Sequence, residues 1–259
     1  MKNEKSKKIM VSLLVCLAVF IVFQILRIFF MPMQNGKSNQ KTEQDLTLEV
    51  NESEDSQNEK SQEVMRQLLN KEMRTEPPRI AITFDDGPSA CTPVLLDGLK
   101  ERDVKATFFL VGENVEVYPE IVKRIYEEGH LIGNHTYHHV EITKLSDEEA
   151  MYEINKTDEV IAGITGERVQ YIRPPFGIWQ RELENHLDVL PVMWTIDPLD
   201  WTTENVDEVV NKVVSQAKEN DIILLHDCYK SSVEAALRIV DLLKAEGFEF
   251  VTVDQLILE

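Results

Sequence analysis

The sequence has few cysteines and, over most of its length, few basic residues. Its three cysteines, Cys16, Cys91 and Cys228, cannot build the multiple-disulfide framework of a small secreted domain. Acidic residues outnumber basic ones 46 to 27 in 259 residues, which gives a net charge of −19. Residues 1–78 hold 11 of each sign, so residues 79–259 hold the other 16 bases and 35 acids and carry the whole net charge. We therefore expect no binding to nucleic acid or to an anionic membrane surface through charge.

The long apolar run at residues 9–31 is not followed by a small-residue cleavage site, because it ends in bulky side chains and Pro32. It contains only three polar residues and is long enough to span a bilayer. Four lysines precede it, and the positive-inside rule places that end in the cytoplasm. We predict a cytoplasmic basic stub at residues 1–8, a single transmembrane anchor at residues 9–31 and an extracytoplasmic remainder. A signal peptide that is removed after secretion is the alternative.

Aliphatic residues are scarce in residues 32–78, which are rich in Asn, Gln, Glu, Ser and Lys. This composition is typical of disordered segments, because too little apolar surface is available to offset the entropy lost on folding. We predict a flexible polar linker that gives the following segment reach.

The pattern changes at Arg79, and no internal repeat follows. Short apolar runs alternate with segments of helical periodicity, such as residues 92–103, 118–129 and 146–164. This alternation predicts β/α units and a parallel sheet. Seven strands are one fewer than in the common eight-stranded barrel, so we predict a distorted (β/α)7-type barrel, with a doubly wound sheet as the alternative. The seven runs are residues 80–84, 106–111, 131–133, 169–172, 189–194, 221–225 and 248–251.

Polar clusters follow successive apolar runs, where a parallel α/β sheet carries its functional side chains. A lone Asp85-Asp86 pair before a glycine is most often a solvated turn. Adjacent like charges are nevertheless unfavourable unless another group interacts with them. Five clusters at successive strand ends therefore predict one shared site. They contain Asp85 and Asp86, His135 and His139, Arg173, Asp197 and Asp200, and His226 with Asp227.

The spacing of His135 and His139 predicts that both imidazoles lie on one face of a helical turn. Two imidazoles and a carboxylate around a divalent ion, with an open coordination position, form a zinc-type catalytic site. The alternative for such a pair is a surface or hydrogen-bonded core role. We expect that role for His130, His138 and His186.

Five sequence motifs together resemble the polysaccharide deacetylase family, also called the NodB-homology domain or carbohydrate esterase family 4. The resemblance covers residues 79–259, and the motifs occur in the family's order. They are TFDDGP at 83–88, HTYHH at 135–139, RPPFG at 173–177, DPLDW at 197–201 and LLHD at 224–227.

The resemblance implies a distorted β/α barrel and metal-dependent removal of N-acetyl groups from glycans. It implies that Asp86, His135 and His139 hold one divalent ion, for which we expect zinc, with cobalt or another divalent transition metal as the alternative. Asp85 would be the general base that acts on the attacking water. His226 would be the general acid that protonates the departing amine. Amide hydrolysis needs both groups, because the nucleophile loses a proton and the amine leaves only after gaining one.

The remaining roles are also implied by the resemblance. Arg173 would orient Asp85, and Asp200 would pair with His226, although Asp197 is a competitor for that pairing. Three further residues would bind substrate. A backbone N–H near Phe176 would help hold the oxyanion, and Trp201 with Leu224 would line a pocket for the acetyl methyl group. Asp227 is expected to brace its loop.

We expect a monomeric catalytic domain at residues 79–259 whose partner is a glycan, held at the cell membrane by residues 9–31. Peptidoglycan is the preferred substrate, because the anchor would hold the domain near the cell wall. A chitooligosaccharide or another exopolysaccharide is the first alternative, and O-acetyl ester cleavage is the second. A non-catalytic glycan-binding protein is a third alternative. Cys91 and Cys228 are expected on one rim, either bridged or as two free thiols.

Overall fold

The computed structural model describes residues 76–179, 183 and 187–257. These residues fall within one compact unit, Arg74–Glu259. The predicted basic stub and anchor lie outside the described residues, as do the linker up to residue 75 and His186. Within the described part of the chain, no helix is long and apolar enough to cross a membrane.

Seven strands form one sheet, and each coincides with one of the seven predicted apolar runs. All of the strand pairs are parallel, which confirms the predicted α/β class. The strands are β1 (Arg79–Gly87), β2 (Thr107–Leu110), β3 (Leu131–Asn134), β4 (Tyr171–Ile172), β5 (Leu190–Pro191), β6 (Ile222–His226) and β7 (Glu249–Val251).

The strand order is β5-β4-β3-β2-β1-β6, with β7 paired to the beginning of β1. Beyond β5 the chain reaches the opposite edge, where Ile196 forms an isolated parallel bridge with Ile223 of β6. The described strands therefore form a parallel half-barrel, and the segment that follows β5 contacts its other edge through this one bridge. Strands β4 and β5 have only two residues each, and Pro191 in β5 has no N–H to extend the pairing.

Helices connect most of the strands, and three of them match the segments of helical periodicity. The longest, Asp147–Thr165, begins with a capping box formed by Ser146 and Glu149 and ends at Gly166 in a left-handed conformation. The helices are α1 (Thr92–Glu101), α2 (Gly112–Val117), α3 (Pro119–Glu127), α4 (Asp147–Thr165), α5 (Val206–Val214), α6 (Lys230–Ala245) and α7 (Val253–Ile257).

The alternation of side chains along β1 separates the main core from the interior of the half-barrel. Ile80, Ile82 and Phe84 belong to the large buried cluster that includes residues of the surrounding helices. Ala81 belongs to a smaller cluster that includes Phe109 of β2. Because Thr83 and Asp85 follow Ala81 at two-residue spacing, a regular strand directs them to the same interior.

The strand register brings the functional residues to one rim. Asp85 lies opposite His226 of β6, and Leu110 lies opposite Asn134 of β3. His135 directly follows Asn134, and the Arg173 N–H donates a hydrogen bond to the Asn134 carbonyl. The carboxyl ends of β1, β3, β4 and β6 thus surround one site.

Candidate active site

A bulge at the end of β1 explains how two adjacent acids serve one site. The pairing with β2 shifts between Asp85 and Gly87, and Asp86 between them has φ 68°. In a regular strand, neighbouring side chains point to opposite faces. The bulge interrupts this alternation. As a result, the nearest carboxylate oxygens of Asp85 and Asp86 lie 3.8 and 3.3 Å from the same atom, Nε2 of His135.

The two histidines of the predicted metal site lie in an irregular loop, so the predicted helical turn is wrong. No helix covers residues 135–139, and Thr136 and His139 have left-handed φ angles of 63° and 53°. Side chains hold this loop: Asn134 accepts a hydrogen bond from the Thr136 N–H, and Glu153 of α4 accepts two from Tyr137 and His138. The two imidazoles still come together, but a loop and not the predicted helical turn brings them there.

Asp86, His135 and His139 form a cluster that fits a divalent ion. One ligand atom from each lies within 4.8 Å of the others. Asp86 Oδ1 is 3.3 and 3.2 Å from the two imidazole Nε2 atoms, yet it is buried without a hydrogen-bond partner in the described part of the chain. His135 Nδ1 lies 2.6 Å from the Arg173 carbonyl oxygen. This contact assigns the ring proton to Nδ1 and leaves Nε2 free as a ligand.

The chemistry of this donor set also suits a metal. Burial opposes ionisation of Asp86, but the imidazoles of His135 and His139 outweigh it and lower the pKa of the carboxyl. Burial lowers the pKa of His139, which favours its neutral, ligating form. Two nitrogens and one carboxylate oxygen are donors that zinc accepts. The residues therefore fit the group that the sequence predicts.

Arg173 fills the interior of the half-barrel and is fully buried. Its Nη1 donates to Asp85 Oδ1 at 2.8 Å and to Thr83 Oγ1 at 2.7 Å. Its other guanidinium nitrogens donate to the carbonyls of Val192 and Met193, in the stretch that follows β5. The guanidinium also lies 4.2 Å from the Phe109 ring centroid. Every direction of the side chain is therefore fixed, and with it the position of Asp85.

His226 lies across the site, and its partner is Asp200. The imidazole Nδ1 is 2.8 Å from Asp200 Oδ1, and the His226 backbone N–H donates to Asp200 Oδ2 at 2.9 Å. Burial opposes protonation of His226, but the Asp200 carboxylate outweighs it and raises the pKa of the imidazole to about 9. Asp197 instead accepts a hydrogen bond from the Leu199 N–H. The geometry thus favours Asp200 over Asp197 for this pairing.

A cavity of about 420 Å³ joins the two sides. Eight of the ten predicted site residues line it, and Arg173 and Asp200 lie behind the wall. Leu224 is buried at its base, whereas Phe176 and Trp201 are 63 and 55 % exposed. Four other lining residues were not predicted: two lie inside the quoted motifs without an assigned role, and two lie outside every motif. They are Pro174, Trp194, Leu199 and Tyr229.

Asp227 connects the end of β6 with the loop that follows β1. Its Oδ2 accepts a 2.6 Å hydrogen bond from Thr92 at the start of α1, and its carbonyl accepts one from Ser89. A Cβ added to Gly87 would lie 2.6 Å from Asp227 Oδ1, so only glycine permits this approach. Burial raises the pKa of Asp227 to about 7. The contacts agree with the predicted bracing role, because they tie the loop after β1 to the end of β6.

Cys91 and Cys228 lie on one rim as expected, and both are free thiols. The Cys91 thiol donates to the Cys228 carbonyl at a sulfur–oxygen distance of 3.7 Å. Burial raises the pKa of Cys228 to about 12, which keeps this thiol protonated at neutral pH. Of the two predicted arrangements, the structure thus has the one with two free thiols and no disulfide bridge.

Comparison with known proteins identifies the family. The polysaccharide deacetylase family profile matches residues 72–192. The chain is 42% identical over 178 residues to the peptidoglycan-N-acetylmuramic acid deacetylase PdaC of Bacillus subtilis, covering 68% of this chain but only 38% of the relative. It is 35% identical over 188 residues to a chitooligosaccharide deacetylase of Azorhizobium caulinodans, covering 65% of this chain and 90% of the relative.

Comparison with solved structures identifies the same family. The solved structure of the peptidoglycan deacetylase PdaC from Bacillus subtilis superposes with a TM-score of 0.68 at 41% identity, covering 70% of this chain and 90% of that one. The family profile spans the first three of the five motifs, and the two relatives align over 65 to 68% of this chain. The chain belongs to the polysaccharide deacetylase family.

Proposed function

We propose that this protein is a metal-dependent hydrolase that removes N-acetyl groups from an N-acetylglucosamine-type glycan, with peptidoglycan as the preferred substrate. One observation carries the proposal. A buried carboxylate held by Arg173 and an imidazole held by Asp200 line one cavity together with the Asp86, His135 and His139 cluster.

Each group has a role that amide hydrolysis requires. A divalent ion held by Asp86, His135 and His139 would supply Lewis-acid chemistry and lower the pKa of water. Asp85 accepts the proton of the attacking water, because Arg173 fixes its carboxylate at the edge of the cavity. His226 donates a proton to the leaving nitrogen, and its raised pKa keeps it protonated at neutral pH.

The substrate assignment rests on the relatives and on the predicted topology. The names of the matched relatives include deacetylases of peptidoglycan and of chitooligosaccharides. The predicted anchor at residues 9–31 would hold the active site outside the cytoplasm, next to the cell wall. A chitooligosaccharide is the second candidate, because this chain covers 90% of that relative.

Acetate release by the full-length protein tests the proposal. The substrates are peptidoglycan, chitooligosaccharides and acetylated xylan, assayed after chelation and again after addition of zinc. We expect metal-dependent release, highest with peptidoglycan, and none from the Asp85→Asn variant. Release from xylan alone would establish an esterase instead. No release from any substrate, with the metal bound, would favour a glycan-binding protein.

A further inference from the structure

Trp194 lines the active-site cavity, although it lies outside all five motifs. It belongs to the segment that crosses from β5 to β6, and this segment is fixed on both sides of the tryptophan. The Arg173 side chain donates a hydrogen bond to the Met193 carbonyl at 3.2 Å. The Thr195 N–H donates one to the Ile222 carbonyl at 2.9 Å. The backbone therefore holds the indole at a defined place in the cavity wall.

The indole packs against the turn that follows Arg173. A Cβ added to Gly177 would lie 2.7 Å from Cη2 of the indole, so a larger residue at this position would clash with the ring. Gly177 also has a φ of 71°, a conformation that favours glycine. The ring of the preceding residue, Phe176, contacts the His139 ring, with the two centroids 5.1 Å apart. Trp194 and His139 thus both contact this turn.

The turn has a phenylalanine where glycine is usual. The Gly177 N–H donates to the Pro174 carbonyl at 3.1 Å, and Phe176, in the third position of the turn, has φ 62° and ψ 6°. These angles are those of a type II turn, which prefers glycine or asparagine there. In a type I turn the third φ is negative, and the preceding peptide bond faces the other way. The sign of φ at Phe176 therefore decides where its N–H points.

The Phe176 N–H is the backbone donor that this turn leaves for a ligand. Pro174 and Pro175 have no N–H, and the N–H of Gly177 is used within the turn. No backbone carbonyl in the described part of the chain accepts a hydrogen bond from Phe176. Hydrolysis of an amide or an ester builds negative charge on the carbonyl oxygen, and an N–H fixed in the right direction stabilises that charge.

We propose that Trp194 is a positioning residue that holds Phe176 in its left-handed conformation, with the N–H directed at the developing oxyanion. This role rests on the proposed deacetylase function and on the predicted role of the Phe176 N–H. The three indole atoms nearest to Gly177 all belong to the outer edge of the six-membered ring. A phenylalanine at position 194 is too short to keep this contact. The turn is then free to relax to a negative φ at Phe176, which turns the N–H away.

Trp194→Phe in the full-length protein, with zinc bound, tests this role. The substrates are the tetramer of N-acetylglucosamine and an aryl acetate. We expect kcat to fall at least about tenfold, toward the roughly 100- to 1000-fold loss that follows removal of one oxyanion donor. KM should change little, because the lost interaction belongs to the transition state. The loss should be the same for both substrates, since both form an oxyanion.

Trp179→Phe is the matched control. Trp179 packs against another apolar cluster, which includes Ile142, and does not line the active-site cavity. This variant should keep the wild-type kcat, and thermal unfolding of both variants measures any general loss of stability. A wild-type kcat in Trp194→Phe, equal losses in the two variants, or a higher KM with an unchanged kcat would overturn the role of Trp194.

A second substitution distinguishes positioning from packing. In a Phe176→Gly background the left-handed conformation no longer carries a steric cost, so adding Trp194→Phe should lower kcat much less than it does in the wild-type protein. Equal losses in the two backgrounds would overturn the role. If Trp194→Phe does not bind zinc, Gly177→Ala decides, because its methyl group would press on the same ring edge. A lower kcat with unchanged KM supports the role, and an unchanged kcat rejects it.

The aryl acetate separates this role from the proposed function. Cleavage of the aryl acetate by the wild-type protein, without acetate release from any glycan, would overturn the proposed function, and the effect of Trp194→Phe on kcat is still measured with the ester. Acetate release from glycans with a wild-type kcat in Trp194→Phe would overturn the role of Trp194 alone.

Discussion

The two sides of the active-site cavity hold their functional groups by different means. On the metal side, Asp86, Thr136 and His139 adopt left-handed backbone conformations, each of which costs roughly 1–3 kcal/mol in a non-glycine residue. On the opposite side, His226 ends a regular strand and is oriented by one carboxylate, that of Asp200. The metal side therefore depends on a backbone that many contacts maintain, whereas the acid side depends on one pair of side chains. Single substitutions on the metal side and on the acid side should therefore have different effects.

The largest effect is expected from removal of a metal ligand. His139→Ala should lose bound zinc and lower kcat/KM by roughly 1000-fold or more, because Lewis-acid stabilisation contributes several kcal/mol. The loss in kcat/KM should be the same for amide and aryl ester substrates. Metal content and turnover of both substrates measure this. His138→Ala is the matched control, since His138 is exposed on the same loop and pairs with Glu153. Full metal retention in His139→Ala would contradict the ligand assignment.

Removal of the acid should affect only one class of substrate. His226→Ala should lower amide hydrolysis by roughly 100- to 10,000-fold, because the amine needs a proton to leave. An aryl acetate should lose much less, since a phenolate leaves without one. Asp85→Asn should damage both reactions, because attack by water is common to them. Turnover of both substrates, with metal content checked in each variant, decides. Equal losses in His226→Ala with the metal retained would remove the acid role.

A smaller effect is expected when the support of His226 is changed. The pKa of about 9 means that amide hydrolysis should fall as the pH rises through 9, where the acid loses its proton. Asp200→Asn removes the charge that raises this pKa, so the alkaline limb of the kcat/KM profile should move toward 6.5, the ordinary value for histidine. Asp197→Asn should leave the limb in place. An unmoved limb in Asp200→Asn would assign the ionisation to another group.

The smallest effect on catalysis is expected at Asp227, which joins the two sides and should mainly change how stability depends on pH. Its pKa is about 7 in the folded protein and 3.8 ordinarily, so between these values the folded state holds a proton that the unfolded state has released. Stability should therefore fall as the pH rises from about 4 to 7, by at most roughly 4 kcal/mol. Asp227→Asn cannot ionise and should lose this slope. Thermal unfolding at pH 5 and pH 8 measures it, and parallel slopes in the two proteins would refute the prediction.

Much of this arrangement was predictable from the sequence. The apolar runs predicted all seven strands. The central strands are buried on both faces, as in β2, where all four residues are buried, whereas β5 and β7 are only partly buried. The polar clusters marked the carboxyl ends, because parallel strands bring those ends to one rim. The resemblance then distinguished the candidate ligands from the surrounding histidines. His130, for example, is buried and accepts a hydrogen bond from the Ala106 N–H, as a structural histidine should.

Other features could not be predicted, because they depend on contacts between distant segments. The His135 to His139 loop follows Glu153 of α4 rather than its own helical spacing. The position of Tyr229 in the wall of the active-site cavity depends on where α6 begins, because Tyr229 directly precedes that helix. The proximity of Gly87 to Asp227 has no local signal, since 140 residues separate them in the chain.

The bulge at Asp86 also has a consequence for protein design. An idealised parallel strand presents every second residue to the barrel interior, so it can offer Asp85 or Asp86 but not both. A scaffold built to carry this acid pair would need one extra residue in that strand, a left-handed position that accepts aspartate, and a glycine immediately after it. If the two side chains were copied onto a regular strand, one carboxylate would point into the hydrophobic core on the other face of the sheet. The transferable unit is the irregular strand end itself.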